Sequence, residues 1–461
     1  MIANTHFRFW IGGLLAFIFA MSWSWLSNSA QAETNAPESL TWQIEVIDYT
    51  GDVGYMPSLA LEPTTEDPYI SYYDNTQGDL KLAFPVGEGG DCGPSDRWSC
   101  NSLSFQNITD FGLYSSLAFN SAGDWGIAYQ NVETGINEFR GLPATGGQEL
   151  FFEPIENSAA VLTLMNNMRY AQNGVSHISY GLLDINQGDT FIKHAEYVGQ
   201  FGNCGDGQWE CETVVETTAN GWGIYNSLVM LNNLPYIFYR DLTQHLSIAV
   251  RSYLGNCGLA NDWSCFDLDP SINVNGLISS YFSSTANYLG VAYIGNDALR
   301  YAYAVPEGEG NCGSLYNEYE CVYIDQVGTA PNNQFLATSL GLYNGQPIIA
   351  YTDVDDWAGA VLKIAYPQPG GNCGPLDENQ QHTWQCETVD GGLGRNSLGF
   401  YPSLQVASDG HIHIAYYDDT AGNLRYAVSD TPINPTPTPT ATATPPPGAL
   451  TPRVFLPLLA R

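Results

Sequence analysis

Six residues combine ring faces with directional polar groups: Trp222, Tyr225, Arg240, Arg395, Asn396 and Tyr401. Sugar and peptide recognition uses that mixture. Aromatic rings supply flat apolar area, and amide and guanidinium groups supply oriented hydrogen bonds. Tyr55, Tyr114, Tyr281, Asn332 and Asn333 belong to the same set. Ordinary lining of a channel is the competing explanation. Hydrolysis would need paired carboxylates. The chain has 48 acidic residues to draw on, but no Ser-His-Asp order, phosphate loop or nucleotide fingerprint accompanies them. Ser408-Asp409-Gly410 is only a fragment of a sialidase-type box.

Metal chemistry has weak support. His411 and His413 lie on one face of a strand, but His413 fills a slot that Tyr69, His177, Tyr236 and Ile348 fill elsewhere, which reads as packing. Asp184 to Asp189 offers hard oxygens, yet its Gly and acid positions do not match a 12-residue calcium loop. No catalytic residue, metal ligand or cofactor is therefore assigned. A structural cation at the Asp-rich hairpins is the one cofactor the composition leaves open.

The elements that must position these residues are set by a repeat. Tyr72, Tyr129, Tyr180, Tyr239, Tyr293, Tyr351 and Tyr416 each close a short apolar run, at steps of 57, 51, 59, 54, 58 and 65 residues. One such unit cannot bury its own apolar face, so a radial array is expected. Each repeat holds four strand-like pieces, a to d. In repeat 1 they are Ser58 to Leu61, Tyr69 to Tyr73, Leu80 to Phe84 and Trp98 to Phe105. The last repeat stops after its third piece, at Asp430. The missing fourth matches Thr41 to Asp48 at the other end of the chain, which resembles Trp384 to Asp390. An N-terminal strand that completes the last blade would close the ring and remove exposed sheet edges. The fold class is all-β, a seven-bladed β-propeller. A β-solenoid would need no such end-swap.

In this geometry the d–a and b–c loops share one face, and the a–b and c–d loops share the other. The ten Cys sort into local pairs, Cys92/Cys100, Cys204/Cys211, Cys257/Cys265, Cys312/Cys321 and Cys373/Cys386, all in c–d loops. In an exported protein they are expected as disulfides, each worth about 2–3 kcal/mol. The six residues above would lie on the opposite face, by the channel. Asp74, Asp241, Asp353 and Asp418 fit tight b–c hairpins, with Gly78 and Gly422 supplying positive φ. Lys81, Lys193, Arg300, Lys363 and Arg425 recur on strand c, and an exposed pairing with the hairpin acids is expected.

Composition narrows the partners. The chain has 14 basic residues and a net charge of −34, which repels phosphate backbones and excludes nucleic acid. Arg8, an apolar run from Trp10 to Leu26 and Ala30-Gln31-Ala32 read as a signal peptide over 1–32. The propeller then spans 33–430 with no transmembrane segment in the mature chain. Residues 431–453 read as a Pro/Thr-rich disordered stalk, and 454–461 as a short hydrophobic tail.

The repeat resembles that of exported bacterial propeller proteins, Pro-Ser-Leu-Ala-Leu followed by Ile-Ser/Ala-Tyr-Tyr-Asp-x-Thr-x-Gly-x-Leu-Lys/Arg-Tyr-Ala. The best copies are Pro57 to Leu61 with Ile70 to Ala83, and Pro402 to Val406 with Ile414 to Ala427. The resemblance covers residues 41 to 430 and implies the architecture but no chemistry. Repeat 2 departs from it: it lacks the Cys pair, and its strand c is Ile136 to Phe139. The resulting expectation is a monomer, secreted or at the surface of a bacterium, that binds a glycan or protein at the channel face without catalysis. The alternative is a glycoside hydrolase, sialidase-like or another propeller hydrolase, using channel-mouth carboxylates.

Overall fold

In a computed structural model of the protein, the described residues are 39–103, 110–131, 135–141, 151–156, 161–184, 186, 188–217, 225–231, 233–314, 317–328, 336–355, 359–391 and 397–433. The signal segment 1–32 and the tail 454–461 lie outside them, as does the stalk beyond residue 433.

Seven sheets follow one another along the chain, each built on four antiparallel strands, so the protein is a seven-bladed β-propeller. Strand a of blade 1 is Val53–Leu61, b is Pro68–Asp74, c is Asp79–Pro85 and d is Trp98–Ser102. Strands a of blades 2 to 7 are Phe111–Phe119, Val161–Tyr170, Asn226–Leu231, Ser279–Ser283, Leu336–Tyr343 and Leu398–Val406. A two-residue strand, Gly276–Leu277, precedes blade 5 and pairs in parallel with Leu336 and Ala337 of blade 6.

Blade 7 is completed by the N-terminal strand Trp42–Asp48, which pairs antiparallel with Asn423–Ser429. Trp42 faces Ser429, and Ile44 faces Ala427. Asp430 N–H then bonds the Thr41 carbonyl. Ile433 is buried among blades 6 and 7 and donates its N–H to the Gly410 carbonyl.

The seven repeat tyrosines are all buried on strand b, where the sheets pack face to face. Small residues beside them, such as Ser71, Ala128, Ala292 and Ala415, let neighbouring sheets approach.

All five local disulfides are present. Each stapled loop has the same design. The residue before the first Cys caps the second: Asp91 accepts from Cys100 N–H, and Asn203, Asn256, Asn311 and Asn372 accept from Cys211, Cys265, Cys321 and Cys386. The glycine after the first Cys has positive φ; in four of the loops a Cβ there would meet the loop's Trp, and at Gly313, whose loop has Tyr319 instead, it would meet Glu318. At Gly93 it would lie 2.5 Å from the Trp98 ring. The Cys-Gly pair and the Trp are thus one packing unit.

Candidate functional site: the central channel

Two polar systems hold the blades together, and they separate structural acids from the channel. Among the described residues, the first sits at five of the seven blade joints. Tyr72 donates to Asp48 of the preceding blade at 2.8 Å, and Tyr293, Tyr351 and Tyr416 donate to Asp269, Asp325 and Asp390 at 2.6 Å. Tyr180 donates to Glu156. Strand-c bases reach the same acids: Lys81 to Asp48, Lys193 to Glu156, Lys363 to Asp325 and Arg425 to Asp390. The expected exposed pairing with hairpin acids is therefore corrected. Among the described residues, only Lys363–Asp353 and Arg425–Asp418 use the hairpin, and the bases are largely buried. Arg300 instead bonds the Gly295 carbonyl and stacks on Tyr323. The hairpin acids do hold their turns: Asp74 accepts from Thr76 and Gln77 N–H, and Asp241 from Thr243 and His245 N–H.

The second system is a belt around the channel. Ser58 accepts from Leu117 N–H of the next blade, Ser116 from Met168, Ser227 from Ser280, Ser279 from Leu340, Ser339 from Leu404 and Ser403 from Leu59. Blade 3 has Asn167 instead, which donates to the Asn226 carbonyl and continues the circuit. The Ser of Pro-Ser-Leu-Ala-Leu is thus a ring-closing hydrogen-bond acceptor.

Two residues before the belt, strand a bulges. Met56, Tyr114, Met165 and Tyr401 take φ of +51 to +54°, and the pairing register shifts there. Positive φ is costly for large residues. Packing compensates: Met56, Tyr114, Leu277, Ala337 and Tyr401, from five blades, meet in one apolar cluster. The channel is filled at this level.

Beyond the plug is a cavity of about 650 Å³. Its lining runs from the bulge residues to the a–b turn of blade 1 at Glu62, Pro63 and Glu66. Leu277 and Ile278, in the d–a connection before blade 5, also line it; among the described residues, none from a b–c hairpin does. The cavity extends from the bulges towards the a–b turns, on the disulfide-loop side.

Glu62 and Glu66 are the carboxylates of the described lining. Glu62 accepts from the N–H groups of Thr64 and Thr65, which hold its carboxyl below the usual range, and Glu66 accepts from Ser408 N–H and Oγ. Both are turn-holding groups.

Of the six residues singled out in the sequence, Trp222, Arg395 and Asn396 lie outside the described residues. Asn332 and Asn333 do too. Tyr225, Arg240 and Tyr401 are near the d–a end. The Arg240 guanidinium lies 5.7 Å from the Tyr225 ring centre, and Arg240 N–H bonds the Tyr225 carbonyl. Tyr225 and Tyr401 are buried. They align with Met56, Tyr114 and Met165, so they occupy a recurring position. Tyr401 also packs edge-on against Tyr55, with the two hydroxyls 3.2 Å apart.

Two cavity residues went unnoticed in the sequence, Asn166 and Arg169. The repeat itself held the signal: Asn167-Met168-Arg169 stands where blade 1 has Ser58-Leu59-Ala60.

His411 and His413 do not converge on one ligand. His411 pairs with Asp409, and His413 bonds the Tyr426 hydroxyl. Asp241, His245 and Asp267 bring ligand atoms within 4.8 Å of one another. Hydrogen bonds from Thr243 and Ser247 already engage that cluster.

No family model and no curated protein matches the chain. Solved structures do. AofleA from Arthrobotrys oligospora is similar at 10% identity and a TM-score of 0.45, over 76% of this chain and 94% of that one. The NanB sialidase from Streptococcus pneumoniae is similar at 8% identity and 0.40, over 86% and 94%. A lectin variant from Aleuria aurantia, in complex with α-methyl-L-fucoside, is similar at 14% identity and 0.39, over 75% and 97%.

Proposed function

We propose that this protein is an exported bacterial surface propeller that binds a glycan or protein ligand and leaves it chemically unchanged. The observation that carries this reading is the state of the cavity carboxylates. A glycoside hydrolase needs an acid with a raised pKa and a second free carboxylate across the scissile bond. Glu62 is instead held ionised by turn amides, and Glu66 is tied to Ser408. The joint acids, Asp48, Asp325 and Asp390, are bound to tyrosine hydroxyls and bases.

The cavity is large enough for a small ligand. Trp222, Tyr225, Arg240, Arg395, Asn396 and Tyr401 are carried in this proposal as the rim at the d–a end. Five disulfides suit an oxidising compartment. The Pro/Thr stretch from Pro435 to Pro447 would serve as the tether to the surface.

A glycan array screened with the mature chain, followed by calorimetry and product analysis of each hit, tests the reading. Saturable binding with unchanged ligand is expected. A ligand that is turned over, with turnover abolished by Glu62→Gln or Glu66→Gln, would replace it with the hydrolase.

A further inference from the structure

The blade 3 stretch of the channel carries a charge that the other blades lack. Counting from the belt, Arg169 occupies the position held by Ala60, Ala118, Val229, Tyr281, Gly341 and Gln405. Its guanidinium has five N–H donors. The hydrogen bond described for it is one donation to the Met168 carbonyl, 2.7 Å. No carboxylate pairs with it among the described residues, although Arg97, Arg251 and Arg425 all have one. Arg169 lies deep in the protein body yet keeps some exposure, because it lines the channel cavity. Burial lowers its pKa. A desolvated cation without a counter-charge is costly unless something else supplies the charge.

A second polar group lines the same cavity without a hydrogen bond to the described protein. Tyr281 has a hydroxyl that burial pushes up in pKa, while the Arg169 charge pulls it down. The net shift is upward, so it remains a proton donor at neutral pH. The cavity thus offers a planar cationic fork and a neutral O–H. A fork matches a carboxylate, which accepts two parallel N–H bonds.

We propose that the channel binds a polyhydroxylated carboxylate, such as a uronic acid, with its carboxylate on Arg169 and Tyr281. This deepens the binding-module reading above and rests on it. Glu62 and Glu66 at the cavity's blade 1 turn oppose highly charged anions, so a single carboxylate on an otherwise neutral, hydroxylated frame fits best.

Calorimetry of the mature chain with sodium D-glucuronate, D-glucose, sodium acetate and trigalacturonate decides the matter. Glucuronate should bind at least roughly tenfold more tightly than glucose or acetate, since a hydrogen bond to a charged group is worth that factor. Arg169→Gln should lose about tenfold or more for glucuronate, with Arg169→Lys intermediate. Tyr281→Phe should lose roughly threefold to tenfold. Blade 7 already has Gln405 at the Arg169 position, so the Gln variant is expected to keep the wild-type melting temperature. If it does not, Tyr281→Phe, which preserves packing, carries the test. Trigalacturonate binding as tightly as the monosaccharide identifies a glycan chain as the source. Monosaccharide binding alone identifies a free sugar acid. Either result upholds the site. Acetate equal to glucuronate would overturn the polyhydroxylated ligand. No uronate binding below about 10 mM, while neutral glycans bind on the array, would overturn this inference and leave the binding-module reading standing. Turnover of any probe would instead remove that reading.

Discussion

The Tyr72 hydroxyl donates to the Asp48 carboxylate at 2.8 Å across the joint where the two ends of the chain meet. Asp48 ends the N-terminal strand, while Tyr72 lies on strand b of blade 1. Lys81 reaches the same carboxylate at 2.5 Å. Asp48 is only 3% exposed, and its other carboxylate oxygen accepts from Thr50 N–H. The same contact forms at other blade joints, but here it fastens the ring shut.

Closure is therefore expected to be sensitive to Asp48. Asp48→Ala leaves Lys81 largely buried without its partner, and breaking such a pair costs about 3 kcal/mol or more. Deleting residues 33–48 removes the whole strand and exposes the edge of Asn423–Ser429. Urea unfolding should show the loss for the point variant, and light scattering should show aggregation of the truncation. A truncation that melts like the intact protein would mean that the ring does not depend on this strand.

The stapled loops should each contribute separately. Replacing Cys204 and Cys211 with Ser opens a loop of sequence separation 7 and should cost about 2–3 kcal/mol. Asn203→Ala removes the acceptor for Cys211 N–H and should cost about 1 kcal/mol with the disulfide intact. Peptide mapping without reductant checks the first premise: a bridge between repeats, or a free thiol, would contradict the structure.

Stability should fall in mild acid because of His177. Its Nδ1 lies 3.1 Å from His194 Nε2, and both rings are buried. The surroundings are His194, Trp263, Glu212 and Arg251. Burial, with the charges of His194 and Arg251, pushes the His177 imidazole down to about 3. The unfolded chain takes up that proton near pH 6.5, and the folded chain does not. Unfolding is thus favoured as pH drops from about 6.5 towards 3, by about 2–3 kcal/mol at pH 4.5. His177→Tyr, which copies Tyr69 and Tyr236 in the same slot, should remove this share of the loss. Denaturation midpoints at pH 7 and pH 4.5 provide the comparison. An equal fall in both proteins would rule out His177 as the source.

The architecture was legible in the sequence because it is repeated. Seven tyrosines, five Cys pairs and an N-terminal strand matching a missing piece each report the same unit, and all three features are present in the fold. The joint acids were harder to see. Asp48, Asp325 and Asp390 sit at strand ends, and their partners come from another repeat, so no local pattern links them. The channel was least legible. Its geometry depends on strand a bulging at Met56, Tyr114, Met165 and Tyr401, a backbone choice that side-chain alternation does not encode. Arg169 could have been found by aligning blade 3 on the belt serine, since it alone places a charge there.

That bulge gives a last expectation, for Tyr401. Viewed in sequence, Tyr401 breaks the repeat and reads as a removable rim residue. In the fold it is 5% exposed, holds φ at +51° and packs edge-on against Tyr55 at 5.1 Å. It shares its cluster with Met56 and Phe400, and so helps to fill the channel between the two faces. Tyr401→Ala would leave a ring-sized void beside a strained backbone, and a loss of about 3–5 kcal/mol is expected. Tyr401→Phe keeps the ring and forfeits only polar contacts such as that with the Tyr55 hydroxyl, for about 1 kcal/mol. Urea midpoints for the two variants separate packing from hydrogen bonding. An Ala variant as stable as the parent would show that the plug does not support the ring.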